Sequence, residues 1–103
     1  MPASARFQWT APTEGSPVNY YHVEVTNSPF PGYWVHSSTV NVTDVTQTVF
    51  STMVEAVVDG PNWVRVIAYD NWNREGPPSE RSEEWNAAPL PGQPGTPVNI
   101  GDI

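Results

Sequence analysis

His22 and His36 are the chain's two histidines, set among eleven acids, four arginines and no lysine. Neither histidine falls in an HExxH or His-x-His pattern, so spacing prescribes no metal pair and no catalytic base. His22 lies between Tyr21 and Val23 and is read as a solvent-facing strand residue. Glu83 and Glu84 are adjacent, and neighbours on a strand face opposite sides, so they cannot serve one substrate as acid and base. Solubility and protection of a sheet edge suit them better. Asn71, Asn73, Glu75 and Gly76 imitate the first half of a calcium loop, but Ser82 stands where the twelfth-position acid belongs and Glu83 comes one residue late. Turn chemistry accounts for Asp and Asn there, so no metal or cofactor is expected. The sequence holds no Gly-x-Ser-x-Gly elbow, no phosphate-cradling glycine loop and no Cys. The chain is therefore not expected to be an enzyme.

Aromatic residues are the stronger lead. Five tryptophans in 103 residues exceed what one small core needs. Trp9 and Trp63 are assigned to the core. Trp34, Trp72 and Trp85, with Phe30, Tyr33 and Tyr69, fall in loops or at strand ends. Rings beside polar side chains stack on sugars or anchor a protein partner, although they can equally cap the open ends of a sandwich. Tyr33, Trp34 and Trp72 are the candidate ligand contacts. Asn41-Val42-Thr43 is a glycosylation sequon, relevant only in a eukaryotic secretory host.

The elements that must carry these residues are strands. Twelve prolines and seven glycines leave no room for long helices, and Val and Thr dominate the runs between them. The length suits one domain. A net charge of −7 without basic clusters argues against nucleic acid, and no stretch approaches the ~20 apolar residues of a membrane span. "MPASARFQW" lacks the regions of a signal peptide. Alternation predicts strands over 5–9, 18–26 and 63–69, one or two short strands in 33–43, another within 45–58, and a last one near 81–85. Residues 1–88 form the predicted domain. Residues 89–103 read as a Pro/Gly-rich linker whose "TPVNIGDI" regains strand character, the start of a following module.

Three segments narrow the fold. "FQWTAPTEG" with "PVNYYHVEV" resembles the opening of a fibronectin type III domain, on Trp9, Pro12, Val18, Tyr21, Val23 and Val25. "DGPNWVRVIAYDNWNREGPPS" is similar to that family's corner and sixth strand, on Val64, Val66, Ala68, Asp70, Gly76 and Ser79. The resemblance covers residues 5–86 and implies an all-β, immunoglobulin-like sandwich. It departs from the family twice. Asn62 stands where a corner Tyr belongs, with Trp63 adjacent, and too few residues precede Trp9 for a complete first strand, which is short, missing or supplied from elsewhere. The resemblance implies a non-catalytic spacer or interaction module of a multidomain, bacterial-type, extracellular or cell-surface protein. Its partners would be neighbouring domains, another protein or a polysaccharide, without nucleic acid or membrane insertion. The alternative is a carbohydrate-binding module using the exposed aromatics. Trp9, Tyr21, Val23, Val25, Val64, Val66 and Ala68 are the predicted core.

Overall fold

In the computed structural model, which describes residues 3–29, 32–88 and 91–102, the chain forms six strands and no helix among those residues. They are β1 (Ser4–Thr10), β2 (Tyr20–Thr26), β3 (Val35–Asn41), β4 (Val49–Glu55), β5 (Gly60–Tyr69) and β6 (Trp85–Ala87). β1 and β4 pair as one antiparallel sheet, and the other is ordered β3-β2-β5-β6. The two sheets form a β-sandwich.

Alternation decides what enters the space between them. β2 turns Tyr21, Val23 and Val25 inward, β5 turns Val64 inward and β4 supplies Phe50 and Val54, all buried. β1 is half-buried at Ala5, Phe7 and Trp9 and exposed at Arg6 and Gln8. Trp9 meets Tyr21 edge-on at 5.4 Å and stacks on Phe50 at 6.1 Å between ring centres. Aromatic packing of this geometry adds to area burial. Val66 packs partly buried against the same cluster, and Ala68 is half-buried.

Two tryptophans exchange the places expected of them. Trp63 is half-exposed under Arg81, whose guanidinium lies 5.1 Å above its ring. Val64 points inward, so its neighbour must point out. Trp85 turns inward and meets Phe7 at 5.4 Å. The corner belongs to Asn62, which is fully buried. Its Oδ1 accepts from Val57 N–H at 3.1 Å, and its Nδ2 donates to the carbonyls of Val58 and Gly60, each at 2.9 Å. Gly60 takes a φ of 97°, the left-handed region that glycine enters without a Cβ penalty.

The final edge also differs from expectation. The regular strand is only Trp85–Ala87, yet Gly76, Ser79 and Ser82 donate their N–H groups to Ala68, Val66 and Val64, each at 2.8 Å. Residues 91–102 are exposed and in no strand, so the described part of "TPVNIGDI", residues 96–102, does not pair. Phe30 lies outside the described residues.

Trp9→Ala should remove about 3 kcal/mol of stability, read as a fall in denaturation midpoint. An unchanged midpoint would remove Trp9 from the core. The Tyr21 hydroxyl is buried and has no hydrogen-bond partner among the described residues. Tyr21→Phe should therefore be neutral or stabilising by up to about 1 kcal/mol, because a desolvated, unsatisfied group is removed. A clear loss of stability would show that the hydroxyl is bonded.

Candidate interaction face

The β2–β5 register fixes the outer side of the larger sheet. Tyr20 pairs with Tyr69, His22 with Ile67 and Glu24 with Arg65, so these six side chains share the face turned away from the core. Tyr20 and Tyr69 stack with ring centres 4.9 Å apart and planes at 8°. His22 lies 4.5 Å from Tyr69 and 5.3 Å from Tyr20. Ile67 is buried although it faces away from the core, so this face carries its own cover. Glu24 accepts from Arg65 Nε at 2.8 Å, and the Arg65 guanidinium sits 4.4 Å from the centre of the Trp34 ring.

His36 joins this row because β3 is irregular. Val23 pairs with Ser38 but Glu24 with His36, which leaves Ser37 as an extra residue. Thr39 and His36 are three positions apart, so a regular pleat would put them on opposite faces. The bulge restores them to one side. His36 then meets His22 edge-on at 4.7 Å, and its Nε2 lies 3.3 Å from Thr39 Oγ1. Four rings from three strands thus form one outer row.

The loop after β5 is held by Asp70, which is almost completely buried. Its Oδ1 accepts from Trp72 N–H at 2.9 Å and Arg74 N–H at 3.0 Å, and its Oδ2 from Arg74 Nε at 2.7 Å. Burial pushes the carboxyl upward, but the Arg74 and Trp72 N–H groups and the Arg74 guanidinium outweigh it and hold Asp70 below the usual carboxylate range. Asn73 sits at φ 60°, and its Oδ1 accepts from the Tyr20 hydroxyl at 3.1 Å. That bond ties the loop to the ring row. Burial first, then the Glu75 carboxylate, raises the Tyr69 phenol above its ordinary value, so it stays neutral at physiological pH.

The three residues singled out from sequence are not brought together. Tyr33 is 53% exposed and donates its hydroxyl to Asn27 Oδ1 at 3.2 Å. Trp34 is half-buried beneath Arg65. Trp72, 71% exposed, lies at the opposite end of the sheet in the 70–76 loop, with the Arg74 guanidinium 5.2 Å from its ring. Between those ends lies the row of Tyr20, His22, His36 and Tyr69. Its signal was present in the Tyr20–His22 spacing, but His22 is half-buried among rings rather than simply solvent-facing. Among the described residues, no three His, Asp or Glu side chains gather where they could hold a metal ion. No protein-family model matches the chain, and no curated protein matches it.

Asp70→Asn should destabilise the loop at neutral pH, because the amide oxygen still accepts from Trp72 and Arg74 N–H but without the negative charge, and the second acceptor that receives Arg74 Nε is lost. The folded pKa is depressed, so the carboxylate's contribution is complete above the unfolded value of about 3.9 and fades as pH falls through the lower folded value. The difference between wild type and variant should therefore shrink below about pH 4. An undiminished difference at about pH 2 would contradict this origin.

Proposed function

We propose that this chain is a non-catalytic interaction and spacing module of the fibronectin type III kind. It belongs to a larger, extracellular or cell-surface protein and uses the outer face of its four-stranded sheet for contact. The observation that carries the reading is the row of Tyr20, His22, His36 and Tyr69, presented by three paired strands. Rings on paired strands are held with little residual freedom, so a partner gains contact area at small entropic cost. The sandwich, the half-buried Trp9 and the alternating valines of β2 and β5 support the family assignment. Asn62 supports it too, since it bonds the chain turn at the corner position by other means than Tyr. The test is to join the module to the domains that flank it in its parent protein and compare amide resonances with those of the isolated chain. Changes confined to the outer face are expected; changes confined to the sheet of β1 and β4 would overturn the reading.

A carbohydrate-binding role is the second reading. Trp72 favours it, being the most exposed aromatic side chain among the described residues named here and flanked by polar loop groups. Titration with cellohexaose, followed by tryptophan fluorescence, separates the two. The interaction reading expects no change. A saturable change lost in Trp72→Ala, in a variant that melts like wild type, would establish the sugar reading instead.

A further inference from the structure

Pro91, Pro94 and Pro97 recur every three residues in "PGQPGTP". A polyproline II helix turns once in three residues, so the three rings line one side of it. Residues 91–102 are exposed and outside every strand, which leaves that side accessible. We propose that this proline stripe docks on the Tyr20–His22–His36–Tyr69 row of a second copy of the chain. The inference rests on the reading of that row as an interaction face.

Length, chemistry and charge agree. Tyr20 to the Glu24–Arg65 pair covers four residues of β2, roughly 13 Å. Pro91 to Pro94 spans roughly 9 Å of polyproline helix and Pro91 to Pro97 roughly 19 Å. Two prolines therefore fit over the rings and the third reaches the Arg65–Trp34 end. Trp34, Arg65, Pro78, Ser79 and Arg81 line one shallow groove at that end, which the third proline would enter. A polyproline helix has no internal hydrogen bonds, so its carbonyls accept from outside donors. Arg65 carries five N–H groups, of which Nε–H goes to Glu24. No charged residue occurs from Asn86 to Gly101, so the segment brings no repulsion to a module of net charge −7.

A second copy is the occupant because of where the arm points. Residues 91–102 at polyproline rise reach roughly 37 Å, and the molecule measures 71 × 34 × 20 Å along its principal axes. β6 runs from Trp85 opposite Asn62 to Ala87 opposite Gly60, so the chain leaves the sheet at the end of β5 remote from Tyr69. Returning to its own face would require reversing a segment that regularly spaced prolines stiffen.

The test titrates the isotope-labelled 103-residue chain with the synthetic peptide PGQPGTPV. Shifts at Tyr20, His22, His36 and Tyr69 are expected, with a Kd of about 0.1–1 mM. Tyr69→Ala should weaken binding about tenfold. His36→Ala, at an exposed position, is the second variant should Tyr69→Ala fail to fold. The peptide PGQAGTAV should bind about tenfold more weakly. The full chain should self-associate with rising concentration in sedimentation, and Pro94→Ala with Pro97→Ala should abolish that association. Equal binding of the two peptides, or no shifts at saturating peptide, would overturn the proposal. So would a monomeric chain whose face resonances change only when residues 91–103 are removed, because the tail would then dock within its own molecule. Cellohexaose or flanking domains shifting the same resonances without any peptide effect would overturn this occupant while leaving the interaction face intact.

Discussion

The pairing of β2 with β5 governs both the inside and the outside of this domain. With Tyr20 opposite Tyr69 and Val23 opposite Val66, every inward position on the two strands except Asn62 is apolar. The outward positions are aromatic or imidazole rings, charges, Thr26, Pro61 and Ile67. A slip of one residue would move His22 and Glu24 into the core and expose Val23 and Val25. The penalty is large because Val23 and Val25 are essentially inaccessible to solvent and each fully buried side chain contributes about 1.5–3 kcal/mol. Core burial thus enforces the alignment that stacks Tyr20 on Tyr69. The outer ring row is a by-product of the same register.

The ends of β5 are fixed by polar residues rather than apolar ones. Asn62 satisfies one donor and two acceptors of the turn that precedes the body of the strand, and Asp70 accepts three bonds from the loop that follows it. Buried polar groups stabilise only when bonded throughout, and both residues meet that condition. The polar loop after β5 is accordingly an ordered connection. Its Asn73 hands the order on to Tyr20.

Much of this was legible in the sequence wherever period two held without interruption. Val23 and Val25, with Val64, announced the core, and Phe7 and Trp9 announced β1. What escaped is where the period breaks. The extra residue at Ser37 brings His36 beside His22, and nothing in "YWVHSSTVNVT" marks which residue is the bulge. Trp63 was expected inside because bulk suggests burial, whereas position on the pleat decides it: Trp63 is next to the inward Asn62 and points out, while Trp85, at the start of β6, packs inward on Phe7. Asn62 was visible only as a departure from a family pattern. Its three bonds depend on the path of the 57–60 turn, which no local propensity encodes.

The edge beside β5 shows how the sandwich limits further pairing. Gly76, Ser79 and Ser82 are three residues apart, yet they bond to Ala68, Val66 and Val64, which are two apart. The Ser79 and Ser82 hydroxyls accept from Val66 and Val64 N–H at 2.9 and 3.0 Å, taking the place of backbone carbonyls in the ladder. Three residues against two cannot keep the pleat, so the outer side of this segment does not present evenly spaced strand groups. Pro77 and Pro78 within it have no N–H to offer. Such an edge resists extension by another strand. β1 lacks these devices: it has seven regular residues and one strand neighbour among the described residues. Its bonds run toward β4 from odd-numbered positions, as Ala11 N–H to Thr48 shows. Alternation therefore turns the backbone groups of Ser4, Arg6, Gln8 and Thr10 to the other side. The single charge on that row, Arg6, is bonded to Ser51 on β4. Protection against strand pairing is therefore concentrated at the β6 edge of the larger sheet, while its other edge, β3, has only the bulge at Ser37. At its β6 edge, the ring-bearing sheet is thus kept from pairing through its backbone.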